Sequence, residues 1–372
     1  DLDGDGDADL AVTVGDQDAL YVLENTGAAA FVVTATHPVA AQPGSLVACD
    51  LDGDGDRDLA VVQSAAGTFA LLINTGGGSF APAQYQACEW SCSDVVDADL
   101  DGDGDRDLAF ATHAHPQSIR VVLNQGNGSF DPPVESATHL RPAGLASGDL
   151  DGNGTSDLAS ANWDTIALLH NLGNATFEAP VSYDAGASPG LVVSADLDGD
   201  GVRDLVVGSG TQGEASVLAN LGGGAFAPRV AYTLGSRAVA LTLADLDQDG
   251  SADLVTAGSS RAYVRRNQGD GTLGAQATFS LGSAPNGITC ADLDGDGDPD
   301  LALSLSGTGT LAFLPGLGDG NFAAVVTFPV GFGASGITGA DFDRDGDVDL
   351  GLASRAAQST RLFDNQGAGS FA

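Results

Sequence analysis

The 372-residue chain contains no methionine and no lysine, and all 13 of its basic residues are arginine. Without a methionine at residue 1 the sequence opens inside a motif, so any signal peptide, anchor or neighbouring domain is expected outside the segment. Acids outnumber bases 51 to 13, and the net charge of −38 sets the chain against nucleic acid and anionic membrane surfaces as partners. No apolar run approaches the roughly 18 residues of a membrane-spanning helix. Four cysteines are too few for a disulfide scaffold. Cys88 and Cys92 lie close enough to pair if the loop between them folds back. Cys49 and Cys290 read as small buried residues, Cys49 standing where other repeats have Ala98, Gly148 or Ala195.

What is present is 43% hydrophobic residues and a strict pattern of acids. That much apolar side chain is enough for a core, so the acids point to cation binding rather than to disorder. Length alone would permit two or three domains, but the chain repeats itself. DLDGDGDADL at Asp1 returns as DLDGDGDRDL at Asp50 and Asp99, DLDGNGTSDL at Asp149, DLDGDGVRDL at Asp196 and DLDQDGSADL at Asp245. DLDGDGDPDL at Asp292 and DFDRDGDVDL at Asp341 complete eight copies, spaced by 47 to 50 residues. A second motif keeps pace: NTGGGSF at Asn74, NQGNGSF at Asn124, NLGNATF at Asn171, NLGGGAF at Asn220 and NQGAGSF at Asn365, with looser copies at Asn25, Asn267 and Gly316.

Each unit divides into four strand candidates. An apolar stretch such as Leu191-Val192-Val193 enters the acidic loop, and a second such as Leu59-Ala60-Val61-Val62 leaves it. A third, such as Val121-Val122-Leu123, precedes the Asn-Gly turn; a fourth begins at the turn's phenylalanine, as from Phe226 toward Tyr232. Glycine-rich turns between short runs of β-formers make an antiparallel meander. Four strands in each repeat predict an all-β fold: a single β-propeller domain over residues 1–372, truncated at both ends. About eight blades are expected, the first without its leading strand and the eighth without its last. Seven blades with part of an extra unit is the alternative.

Within each acidic loop, alternate residues carry oxygen. Position one is Asp1, Asp50, Asp99, Asp149, Asp196, Asp245, Asp292 and Asp341; position three is Asp3, Asp52, Asp101, Asp151, Asp198, Asp247, Asp294 and Asp343. Position five is Asp5, Asp54, Asp103, Asn153, Asp200, Asp249, Asp296 and Asp345; position nine is Asp9, Asp58, Asp107, Asp157, Asp204, Asp253, Asp300 and Asp349. Alternating oxygen ligands with a closing acid are how a short loop wraps a hard divalent cation. Position seven (Asp7, Asp56, Asp105, Thr155, Val202, Ser251, Asp298 and Asp347) is expected to complete the set through its backbone carbonyl. Position six is always glycine, as a sharp turn with positive φ requires. Position four admits Gln248 and Arg344 and is expected to face solvent.

Clustered carboxylates repel one another unless a cation lies between them. Thirty-one of the 51 acids stand at positions one, three, five and nine, and five more at position seven, so metal binding accounts for most of the charge. Calcium, up to eight ions, is the expected cofactor. Magnesium prefers tighter octahedral sites, and soft metals want His or Cys, which the loops lack. The fourth loop, with Asn153 and Thr155 in place of acids, is expected to bind calcium most weakly.

The acidic loops and the N-x-G-x-G-x-F turns resemble FG-GAP/VCBS repeats, the blades of the integrin α-subunit type of propeller, over essentially the whole chain. The resemblance implies calcium in the loops between the first two strands of each blade. It also implies a secreted or surface-displayed protein concerned with adhesion or ligand binding, often one module of a longer polypeptide.

In such a meander the acidic loops and Asn-Gly turns share one face, and the remaining connections share the other. Length and composition vary most between strands two and three, where His113, His115 and Gln117, Asn162, Trp163 and Asp164, and Gln212 and Glu214 fall. Recognition usually sits on loops of a rigid scaffold. A protein or glycan ligand is therefore expected on that face, led by His113, His115 and Trp163; tolerated surface variation is the plainer reading. A lone His-x-His is weak ground for a metal. Trp90, beside the cysteine pair, is either a ligand platform or a packed loop aromatic. Asn127, Asn153 and Asn174 begin glycosylation sequons. No nucleophile-and-base pair or paired acids outside the loops suggest an active site, so a non-enzymatic module is expected. A lectin-like propeller, or the propeller module of a secreted hydrolase or lyase, is the alternative.

Overall fold

The computed structural model describes residues 1–14, 17–26, 31–40, 42–88, 92–112, 118–137, 142–330, 334–354, 359–366 and 369–371. These residues form thirty strands and no helix, arranged as eight antiparallel sheets in chain order, six of four strands and two of three. Blade five shows the pattern with strands Pro189–Ala195, Asp204–Ser209, Glu214–Leu218 and Val230–Thr233, each paired with the next. The acidic loop joins strands one and two, and the Asn turn joins strands three and four. The fourth strand is shorter than its apolar pattern suggests. Asn220 and Phe226 make an isolated bridge across the turn, and pairing resumes only at Val230. Pro228, which has no N–H to give, stands in the gap, as do Pro82, Pro132 and Pro180 in blades two to four.

Burial runs radially. In blades two to seven strand two is buried along its whole length, as at Asp58–Gln63, because each of these sheets has a neighbour on both faces. That is why Leu59-Ala60-Val61-Val62 reads as a continuous apolar run rather than an alternating one. Outer strands such as Val181–Asp184 are mostly exposed, and innermost strands such as Pro189–Ala195 are half-buried. Among the described residues the core forms seven clusters, each joining two adjacent blades. Phe69 and Leu71 of blade two, for example, pack with Leu108 and Phe110 of blade three. Position two of the first seven acidic loops, Leu51 among them, drops into such a cluster and anchors the loop from below, and Phe342 at that place in the eighth loop is buried too.

Blade eight closes onto blade one. Phe342 stacks edge-on against Phe31 at 5.2 Å, and Asn25 Nδ2 donates to the Phe342 carbonyl. The propeller therefore has eight blades, and the seven-bladed alternative falls. The first blade has strands two to four and the last has strands one to three. Cys88 and Cys92 form a buried disulfide; Cys49 is buried, and Cys290 is partly buried within the strand Pro285–Ala291. Trp90, His113 and His115 lie outside the described residues. Among the described residues no helix is long and apolar enough to cross a membrane.

Candidate metal centres

Each acidic loop is folded by its own carboxylates. In the second loop Asp50 Oδ1 accepts from the Gly53 amide at 2.7 Å, and Oδ2 from Gly55 at 3.0 Å. Asp52 accepts from the Asp54 amide at 3.3 Å and Asp54 from Asp56 at 2.9 Å. The turns gather the acids, so that one oxygen each from Asp50, Asp52 and Asp58 lies within 4.8 Å of the others. The same gathering recurs at Asp99, Asp101 and Asp107, at Asp196, Asp198 and Asp204, and at Asp1, Asp3 and Asp5.

Backbone angles explain why position six is always glycine while position four is not. Position six has φ from +87° at Gly154 to +100° at Gly346, beyond the left-handed well open to other residues. Position four relaxes to +58° at Gln248 and +60° at Arg344, inside that well. Those two side chains are exposed, as expected, and each also reaches a neighbouring loop. Gln248 Nε2 donates to the Gly297 carbonyl at 2.6 Å and to Asp298 Oδ1 at 3.0 Å in the next loop. Arg344 reaches from the eighth loop to the first, pairing with Asp7 and donating to the Asp5 carbonyl at 2.6 Å.

Position nine joins the loop to the Asn turn. Asp58 is fully buried; its Oδ2 accepts from the Leu51 amide at 2.7 Å and its Oδ1 from the Asn74 amide at 2.6 Å. Read from the motif, that asparagine is a turn residue; in the structure it is the staple between blades. Asn124 Nδ2 donates to the Leu51 carbonyl of blade two at 2.8 Å and to the Arg106 carbonyl of its own blade at 3.1 Å. The same two bonds recur from Asn171, Asn220, Asn267 and Asn365. Each Asn turn thus sits over the preceding blade's acidic loop, and both share one face as expected. Position seven leans on the turn of its own blade: a Cβ added at Gly126 would meet Asp105 Oδ2 at 2.3 Å.

Burial pushes Asp58, Asp107, Asp253 and Asp300 up to about 6, against the opposing pull of two amide hydrogen bonds on each. Burial, and then neighbouring carboxylates, also raise Asp52, Asp101 and Asp294 at position three. Asp247 Oδ1 and Asp341 Oδ1 are buried and accept no hydrogen bond. Clustered, desolvated, hard oxygen donors with unused lone pairs are a donor set that fits calcium.

The motifs do not point to the residue just before the turn asparagine, because its identity changes from blade to blade: Glu24, Ile73, Leu123, His170, Ala219, Arg266, Pro315 and Asp364. Where it is Arg or His, its side chain lies beside position three of its own loop. Arg266 Nη1 is 3.7 Å from Asp247 Oδ2, and His170 Nδ1 is 3.8 Å from Asp151 Oδ2.

On the opposite face Trp163 is 54% exposed beside the exposed Asp164. Asn162 is not available to a ligand there: it is buried and its amide bonds to Ser160. Glu214 is engaged too, 3.4 Å from Arg229, which also holds Asp184 at 3.0 Å. A cleft of about 410 Å³ opens on the metal face between the second and third loops, lined by Asp50, Arg57, Asp97, Asp105 and Arg106.

A family model for the FG-GAP-like repeat matches residues 1–61, 99–160, 149–207, 196–256, 245–303 and 292–352. Among curated proteins none matches the sequence. An Agrocybe aegerita lectin, described as recognising non-reducing terminal N-acetylglucosamine, superposes with a TM-score of 0.60 at 20% identity, over 96% of this chain and 95% of that one. A functionally unknown protein from Desulfotomaculum acetoxidans gives 0.60 at 13% identity over 92% and 98% of the two chains. Virginiamycin B lyase from Staphylococcus aureus gives 0.56 at 14% over 94% and 96%. At these identities the likeness is one of fold.

Proposed function

We propose that this chain, which belongs to the FG-GAP-like repeat family, is a calcium-loaded, non-enzymatic binding module that works outside the cell. The observation that carries the reading is the recurrence, loop after loop, of three acids whose oxygens come within 4.8 Å of one another. The chain's net charge is −38 and 36 of its 51 acids stand in these loops, so the loops need counter-charge, and their oxygens suit a hard ion with flexible coordination. The ion's part is structural. Bound in a loop, it would hold the position-two carbonyl in place to receive the next blade's asparagine, so loading the loops stiffens the whole ring. Recognition is then left to the less repetitive face around Trp163, and adhesion or soluble-ligand capture follows from which partner fits it.

Calcium titration of the metal-stripped chain, read by calorimetry and elemental analysis, tests the first half. Binding of several ions with a rise in melting temperature is expected, and an unchanged midpoint in EDTA would sink the structural role. Replacing Trp163 and His115 with alanine tests the second half. Ligand binding should weaken while melting and calcium stoichiometry stay as they were.

A glycan is the second reading, favoured by the exposed Trp163 ring beside the Asp164 carboxylate, a pairing of apolar face and acceptor that suits sugars. The fold likeness to a lectin makes terminal N-acetylglucosamine the first sugar to try. A glycan array with no hit would leave the protein-ligand reading.

A further inference from the structure

We propose that the fourth acidic loop takes a divalent transition metal of the zinc type rather than calcium, with the His170 imidazole as its nitrogen ligand. The proposal accepts the loops as cation sites and changes the ion at one of them.

Loop four has turned its calcium-like donors inward. Asn153 Oδ1 accepts from the Thr155 amide at 2.7 Å and from the Thr155 hydroxyl at 2.6 Å. Its Nδ2 donates to Asp151 Oδ2 at 3.1 Å and to the Asn171 carbonyl at 3.0 Å. Position five therefore offers neither a charge nor a free oxygen, and a cation that wants six to eight oxygens is poorly served.

A nitrogen arrives in the same place. His170 is only 8% exposed, and its Nδ1 is buried without a hydrogen-bond partner. That atom lies 3.8 Å from Asp151 Oδ2 and 3.8 Å from Asp157 Oδ2. The gap is too long for a hydrogen bond. It is a few tenths of an ångström beyond the separation of two ligands on one ion: at roughly 2.0–2.2 Å per bond, a tetrahedral zinc-type metal holds its ligands about 3.4 Å apart, so small side-chain shifts would bring the imidazole and both carboxylates onto it. All three donor atoms already lie within 4.8 Å of one another, so the two carboxylates need approach by little to share the ion with the imidazole. Two carboxylates and an imidazole make a mixed set that suits zinc, cobalt or nickel better than calcium.

The ring is held in position from the next blade. A Cβ added at Gly224 would lie 2.3 Å from the His170 ring carbon Cε1 and 2.9 Å from Nδ1, so glycine there leaves room for the imidazole. No other blade puts a histidine at this place; blades two, three and five have Ile73, Leu123 and Ala219.

The test uses the untagged full chain, stripped of metal, saturated with calcium and then titrated with Co²⁺. One cobalt equivalent should bind against the calcium background and show visible d–d absorption. His170→Ala should abolish that absorption and leave the calcium-dependent rise in melting temperature intact. The variant installs the residue that blade five carries naturally at Ala219, so it is expected to fold. The double variant His113→Ala, His115→Ala should keep the cobalt site. No cobalt uptake in calcium, uptake that survives His170→Ala, or uptake lost with His113 and His115 would each overturn the proposal. So would ring NMR signals of His170 that titrate with pH but do not move with zinc, because the imidazolium would then be the loop's own cation. If cobalt binds through His170 while calcium binds nowhere, the calcium reading falls and this one stands.

Discussion

Replacing Asn124 with alanine tests whether the turn asparagine holds blade three to blade two. The side chain is 1% exposed and makes three hydrogen bonds: to the Leu51 carbonyl at 2.8 Å, to the Arg106 carbonyl at 3.1 Å, and from the Gly126 amide at 3.1 Å. Leu51 keeps a second donor, the Gly128 amide at 2.9 Å, so it is not left bare. Arg106 O and Gly126 N lose the partner described here. An unsatisfied buried group costs about 1–3 kcal/mol, and both atoms are only partly shielded, so the expected loss is about 2–4 kcal/mol. Asn124→Asp keeps the acceptor but loses both donors and adds a charge near Asp107, and should cost at least as much. The assay is denaturant unfolding at saturating calcium. Leu172→Ala serves as control, because that side chain is 61% exposed and should shift stability by no more than about 0.5 kcal/mol. An Asn124→Ala loss under about 1 kcal/mol, or an aspartate variant as stable as the parent, would refute the staple.

Three further outcomes are expected. The buried acids Asp58, Asp107, Asp253 and Asp300 have folded values near 6, above their ordinary 3.8. The metal-free chain is therefore most favoured below pH 3.8 as far as these groups go, and loses that advantage as pH rises through about 6. Melting in EDTA should fall between pH 5 and 7 while the calcium-loaded form stays level. A calcium effect of the same size at both ends of that range would count against this account. Per site it amounts to roughly 2.7 kcal/mol at a hundred times the dissociation constant. Gly201→Ala, at φ +90°, should cost about 1–3 kcal/mol and more than Gly199→Ala at φ +75°, since neither site meets an obstructing atom; equal costs would remove backbone angle as the reason for the invariant glycine. Arg344→Ala should cost at most about 1 kcal/mol, its side chain being 51% exposed, yet tighten calcium at the first loop by removing a competing cation from Asp5 and Asp7. Unchanged affinity there would show the pair to be incidental.

Features written within a short window could be read from the chain. The acidic loop spans nine residues and its ligands alternate, so the candidate donors, the glycine at position six and the four-stranded meander follow from local spacing. The face shared by loops and turns follows too, since a meander alternates its ends. Contacts across long separations could not be read this way. Whether unit eight meets unit one depends on Phe31, Phe342 and Asn25, and the Asn25 bond to Phe342 spans 317 residues. The staple from Asn124 reaches 73 residues back to Leu51, and the clasp from Gln248 reaches 49 residues forward to Gly297. No spacing rule within one repeat signals either bond.

The fourth loop shows the divide most clearly. Its own nine residues contain no nitrogen ligand and read as a weakened calcium site. Strand pairing sets Leu169 opposite Leu158, and that register carries His170 to the side of Asp157 and Asp151. Which atoms can share an ion is decided by which meet in space, and the imidazole stands just past the end of the strand Thr165–Leu169, which only the folded sheet brings beside the loop.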